Sequence, residues 1–160
     1  MTSLQNTSTT TETTQTTALY NALNVQIANW SLLYTKLHNF HWYVKGENFF
    51  TLHAKFEELY DQATVYMDDI AERLLAIGGQ PVATLREQLE LSTLLEATGT
   101  EQANQMVSSL VEDIATVSTE LTETIVLAEQ VSDQPTADLL IGIRGEIEKA
   151  AWMLNAYLGR

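Results

Sequence analysis

Residues 37–73 read LHNFHWYVKGENFFTLHAKFEELYDQATVYMDDIAER, and in this stretch two helical patterns meet at one glycine. Upstream of Gly46, side chains recur at steps of four and three: Leu19, Leu23, Ile27, Trp30, Tyr34, Leu37 and His41. That is the period of an amphipathic helix, and Gly46 is its stop signal. Downstream, Asn48 is a candidate N-cap. Leu52, Phe56, Leu59, Ala63, Tyr66, Ile70, Leu74 and Ile77 then form a second stripe, closed by Gly78-Gly79 with Pro81 just beyond.

The same period continues outward. Pro81 to Gly99 is a long connection in which Thr84 to Leu89 has the pattern of a short helix. Thr100 is the expected cap of a third long helix carrying Val107, Leu110, Ile114, Val117 and Leu121. A break follows at Val131-Ser132-Asp133-Gln134-Pro135, where proline suits a first helical position. The last helix carries Leu140, Ile143, Ile147, Ala151, Leu154 and Leu158. Four long helices with one long link between the second and third make an all-α four-helix bundle. The crossover carries a short helix, the arrangement of ferritin-like folds. This domain is expected to span residues 18–160.

Residues 1–17, MTSLQNTSTTTETTQTT, have one apolar side chain beyond the first Met and one charge, Glu12. Such a tract cannot offset its ordering entropy by burial and is expected to be a disordered tail. It lacks the basic start and apolar run of a secretory signal. No run of 18 apolar residues exists to span a membrane. A cytoplasmic protein is the expectation.

Composition narrows the chemistry. The 160 residues hold 21 Asp and Glu against 8 Lys and Arg, a net charge of −13, with 3 His and no Cys. Without cysteine, disulfides, thiolate catalysis, Fe–S clusters and thiolate zinc sites are excluded. The acidity opposes contact with nucleic-acid phosphates and favours cations. Any transition-metal site must use imidazole and carboxylate, which suits iron, manganese or zinc. A di-iron site inside a bundle needs Glu-x-x-His motifs. Thr35, His38 and Phe50 stand three residues before the three histidines, so that site is absent.

The second helix offers another arrangement. At roughly 100° per residue, His53, Glu57, Asp68 and Glu72 lie at about 0°, 40°, 60° and 100° around the axis, on one face beside the apolar stripe. His53/Glu57 and Asp68/Glu72 are i,i+4 pairs able to share a ligand. Glu57 and Asp68 are roughly 16 Å apart along the axis, too far for one ion with bonds of about 2 Å. Two copies packed antiparallel about a two-fold axis solve this. His53 and Glu57 of each then face Asp68 and Glu72 of the other, giving two identical sites. His41, across the Gly46 turn, can join His53.

Leu37 to Gly46, Asn48 to His53, Met67 to Arg73 and the late segment Trp152 to Leu158 resemble the Dps family, the miniferritins named for DNA protection in starved cells. The resemblance covers roughly residues 18–158. It implies a hollow homododecamer with tetrahedral (23) symmetry and ferroxidase centres at its two-fold interfaces. His41, His53 and Glu57 would come from one subunit, Asp68 and Glu72 from its neighbour; many members have Asp at the position of Glu57.

The implied reaction oxidises ferrous iron, with hydrogen peroxide generally preferred to dioxygen, and stores ferric mineral inside the shell. Trp42 resembles the family's tryptophan beside the centre, an electron or radical relay that also packs at the interface. Iron would be admitted by acidic pores near the start of the last helix, with Asp133 and Asp138 as candidates and Glu129 beside them; Asp133 could equally cap that helix. Zinc or manganese would fit the same ligands, so a shell with weak oxidase activity is the alternative, and a nucleoid-binding structural role another. Direct DNA binding is not expected, because the basic tails that perform it in the family are missing: residues 1–17 contain no Lys or Arg. His38 is expected to be structural or solvent-facing, and Trp30 and Trp152 to be core residues.

Overall fold

A computed structural model describes the backbone of residues 3–160 and the side chains of residues 13–160. Five helices follow one another: α1 (Ser3–Tyr43), α2 (Phe49–Ala76), α3 (Leu85–Leu91), α4 (Ala103–Gln130) and α5 (Gln134–Tyr157). The described residues contain no strand. α1 pairs with α2 and α4 with α5, and the two hairpins join chiefly through α1 and α4. The core is one continuous cluster in which Phe40, Phe56, Leu23, Ile70, Leu74, Leu121 and Leu140 are fully buried. This is the expected all-α, ferritin-like bundle, with α3 as the short helix in the crossover.

The ends of the helices follow their local chemistry. Gly46 takes φ +105° between α1 and α2, and Gly78 takes φ +88° after α2, conformations that a residue without Cβ adopts freely. Thr84 caps α3 in a full capping box with Glu87. Asn48 stands at the N-cap of α2, but its side chain makes no cap bond; its amide donates to the Tyr157 hydroxyl at 2.9 Å and ties the start of α2 to the end of α5.

Three expectations are corrected. α1 starts at Ser3, not at Ala18. Residues 1–17 contain neither Gly nor Pro to stop a helix, and within the stretch Thr17 Oγ1 donates back to the Thr13 carbonyl at 2.9 Å. Met1 and Thr2 of the expected disordered tail lie outside the described residues. Thr100 does not cap α4: the N-cap is Gln102, because Gly99 turns at φ +78° and the Glu101 carboxylate collects the Thr98 and Thr100 backbone N–H groups first. Trp152 is 67% exposed, because the buried stripe of α5 is Ile147, Ala150 and Leu154 and residue 152 falls opposite it. Trp30 is buried as expected.

Side chains of α1 strap the crossover down. The Tyr20 hydroxyl donates to the Ile77 carbonyl at 2.5 Å. Asn24 donates to the Gln80 carbonyl at 3.0 Å and accepts from Val82 N–H at 2.8 Å. Asn29 accepts from Ser92 and Thr93 and donates to Glu120 of α4 at 2.7 Å. Last in the row, Lys36 donates to the Leu95 carbonyl at 3.0 Å and to Asp113 Oδ2 of α4 at 2.6 Å. These bonds satisfy the backbone of a long connection that has no ladder of its own.

Lys36 and Asp113 are both buried. Burial pushes the Asp113 carboxyl up and outweighs the hydrogen bond and charge of Lys36, which pull it down. The pair therefore fixes α1 against α4 at a desolvation cost that opposes its attraction. Asp113→Ala, which leaves the Lys36 ammonium buried and unpaired, is expected to cost about 3–5 kcal/mol in denaturant unfolding. Lys36→Met combined with Asp113→Leu should recover most of that loss.

Candidate metal centre

α1 ends at Tyr43, which leaves its last carbonyls without intrahelical partners. One belongs to His41, and His53 reaches across the turn from α2 to fill it: His53 Nδ1 lies 2.8 Å from the His41 carbonyl. The contact is reciprocal, since His41 Nδ1 lies 2.7 Å from the His53 carbonyl. A carbonyl only accepts, so both Nδ1 atoms donate, which leaves Nε2 of each ring as the nitrogen open to a ligand. Bonds of this kind orient metal-binding imidazoles.

Aromatic packing holds the rings in place. His41 and His53 stack at 3.6 Å between centroids. Phe49 stacks on His53 at 5.0 Å, and Tyr60 meets His41 edge-on at 5.4 Å. His41 is buried and His53 half-buried, while Glu57, one turn beyond His53, is exposed. The ligand atoms of His41, His53 and Glu57 lie within 4.8 Å of one another. Ligands on opposite sides of an ion with bonds of about 2.0–2.2 Å lie about 4 Å apart, so a small adjustment of the exposed Glu57 closes the set. The last turn of α1 adds the negative end of its dipole, which favours a cation.

Asp68 and Glu72 are exposed on α2 and do not join this cluster within one chain. On a continuous helix Asp68 is about 16 Å from Glu57. Trp42 is 67% exposed, and its ring lies 5.2 Å from that of His38. His38 is structural: its Nδ1 lies 2.9 Å from the Tyr34 carbonyl, and its ring stacks on Tyr60 at 3.8 Å. Tyr34, expected on the buried stripe, is exposed and packs on His38 and Tyr60 instead. Tyr60 and Phe49 carry no metal-ligand atom of the kind the spacing selects, and only their ring contacts mark them. Tyr60 stands seven residues after His53, two turns along the same face.

The two pore candidates differ. The Asp133 carboxylate is already engaged, accepting from Thr136 N–H at 3.2 Å, Thr136 Oγ1 at 2.5 Å and Arg73 Nη2 of α2 at 2.6 Å. Burial alone would raise this carboxyl. The Thr136 hydrogen bonds, followed by Arg73, outweigh burial and hold it below the usual carboxylate range. Asp138 and Glu129 are exposed.

A folded-state pKa below the unfolded value of about 3.9 contributes stability above that pH, and the contribution is lost as pH falls through the folded value. The stability advantage of the wild type over Asp133→Asn is therefore expected to be full at pH 7 and to shrink below about pH 4, read from unfolding free energies across that range.

Comparison with known proteins agrees with this architecture. A family model for the ferritin-like domain matches residues 20–160. General stress protein 20U of Bacillus subtilis is 53% identical over 141 residues, covering 88% of this chain and 97% of the relative. DNA protection during starvation protein 2 of Bacillus anthracis is 54% identical over 138 residues, 86% of this chain and 94% of the relative. The crystal structure of a Dps protein from Bacillus brevis superposes with a TM-score of 0.89 at 50% identity, over 91% of this chain and 97% of that one. Crystals of Dps from Listeria innocua, 40% identical with a TM-score of 0.86 over 89% of this chain, have been soaked with zinc or with cobalt.

Proposed function

The chain belongs to the Dps family of ferritin-like proteins, a fold that implies iron binding and storage, and from that premise we propose that it is a ferroxidase working at centres shared between subunits. The observation that carries the reading is the convergence of His41, His53 and Glu57 within 4.8 Å, with both imidazole Nε2 atoms left free by the reciprocal Nδ1 bonds. Ferrous iron is the substrate. The two imidazoles bind it in its reduced state, and the carboxylates, as hard oxygen ligands, stabilise the ferric product. Asp68 of the partner subunit and Glu72 of the partner subunit complete the set across a two-fold axis, because the same residues of one chain are out of reach.

Two ferrous ions at one centre supply together the two electrons that hydrogen peroxide takes in becoming two waters. Paired transfer avoids the one-electron step that releases hydroxyl radical. Peroxide is the preferred oxidant and dioxygen the slower one. The ferric product is stored as mineral in a homododecamer of tetrahedral symmetry. Trp42 packs at the interface beside the centre. Iron is admitted near the start of α5 past Asp138, with Asp133 shaping the passage as a helix cap. The bundle proper is residues 18–160, with α1 continuing beyond it toward Ser3. Zinc and manganese compete for the same ligands, and the protein works in the cytoplasm.

Complementation tests the shared centre. His53→Ala subunits and Asp68→Ala/Glu72→Ala subunits should each be inactive in ferrous oxidation with peroxide. A two-fold pair with one subunit of each kind keeps one intact centre of its two. Randomly reassembled equal mixtures should therefore regain about one quarter of wild-type centres. Mixtures that stay inactive, although both variants assemble, would rule out ligands shared between subunits.

Protection of DNA is indirect, through removal of iron and peroxide. A dodecamer carries about −156 charges at −13 per chain, and repulsion between like charges is least screened at low salt. Gel-shift assays at low ionic strength are expected to show no retardation of duplex DNA. Tight binding there would contradict the reading.

A further inference from the structure

A second chemistry-bearing cluster lies inside the bundle, away from the imidazoles. Tyr66 of α2 is buried, and its phenol O–H donates to a carboxylate oxygen of Glu146 on α5. Glu146 is itself exposed. Trp30 of α1, also buried, meets Tyr66 edge-on with centroids 4.9 Å apart. Its indole N–H has no hydrogen-bond partner among the described residues, and with Tyr66 and Gln62 it lines a cavity of about 30 Å³, room enough for one water. Along α2 the phenol is nine residues beyond Glu57, roughly 13 Å.

Burial, then the hydrogen bond and charge of Glu146, push the Tyr66 phenol well above its ordinary range, so it is protonated at any working pH. A protonated phenol gives up an electron readily only if its proton can leave at the same time, because the radical cation is a strong acid. That needs a base within hydrogen-bond reach of the phenol. Here a carboxylate is hydrogen-bonded to the phenol on one side and open to water on the other, which provides both the acceptor and the way out. The indole in contact is the next most easily oxidised side chain.

We propose that Tyr66, with Glu146 as its proton acceptor and Trp30 in contact, is a redox site inside each subunit that donates one electron to strong oxidants such as hydroxyl radical. In the step, the Tyr66 phenol loses one electron to the radical, which becomes hydroxide. The phenol O–H bond breaks and its proton passes to the Glu146 carboxylate, leaving a neutral tyrosyl radical and a carboxylic acid. The acid then releases the proton to water, where it neutralises the hydroxide. All three residues belong to one chain, so the inference stands apart from the shared metal centre.

The test uses the intact, metal-free protein and a photogenerated ruthenium(III) polypyridyl oxidant, so that ferroxidase activity plays no part. Transient absorption and electron paramagnetic resonance are expected to show a tyrosyl radical whose formation has a solvent deuterium isotope effect. Tyr66→Phe, which removes only the hydroxyl, should lower that signal and leave only the part carried by exposed tyrosines such as Tyr34 and Tyr43. Glu146→Gln should lower the yield and make it depend on buffer base concentration, and Glu146→Asp, which keeps the base, should retain both yield and isotope effect. A tyrosyl signal unchanged in Tyr66→Phe would overturn the proposal, as would a yield and isotope effect unchanged in Glu146→Gln.

Discussion

Two hydrogen bonds across the Gly46 turn, imidazole to carbonyl in each direction, underlie the rest of the site. They close the junction of α1 and α2 and satisfy a carbonyl that the end of α1 leaves open. They also place a ring proton on each Nδ1. The same contacts that hold the hairpin together thus leave the two Nε2 atoms as the ring nitrogens open to a ligand. A site so prepared needs no reorganisation of its imidazoles to accept a cation, and only Glu57 has freedom to adjust. Structure and chemistry share the same atoms, so a change to either histidine disturbs the turn as well as the ligand set.

The other end of α1 serves a different purpose. Tyr20, Asn24, Asn29, Ser31 and Lys36 bind the crossover and α3, so one flank of α1 is spent on a connection that could not otherwise satisfy its backbone. Lys36 and Asp113 complete the strap at the cost of two buried charges. The histidine end is free of such straps. There the exposed Trp42 and the row of carboxylates along α2 are left for whatever covers them. The asymmetry leaves the candidate ligands at the edge of the bundle and not among its core side chains.

The fold was largely legible because its signals are local. Apolar residues at steps of three and four, Gly46, Gly78-Gly79 and the Thr84/Glu87 capping box each act within a turn or two of helix, and each has the role its chemistry predicts. Errors arose where another group, near or distant, took the same atoms or the same face. Asn48 turned from capping to Tyr157. Thr100 lost its helix start to the carboxylate of Glu101. Trp152, apolar by type, fell on the outer face because Ala150 and Leu154 took the inner one. The threonine-rich start follows α1 as helix, since composition reports a shortage of burial but says nothing of a continuous helix with no residue to break it.

For the candidate centre the division has the same cause. The sequence by itself determined which ligands are possible, with no thiolate and with His53 and Glu57 a turn apart on one face, because helical periodicity converts spacing directly into direction. It also showed that Asp68 and Glu72 cannot reach Glu57 within one helix, because the rise per residue is constant. Only the tertiary structure decided that His41 stacks on His53, that Nδ1 of each ring donates to a backbone carbonyl, and that Asp133 is tied to Arg73. Those outcomes depend on contacts between residues from 12 to 60 apart in sequence, and no periodicity in the chain encodes how closely two helices approach.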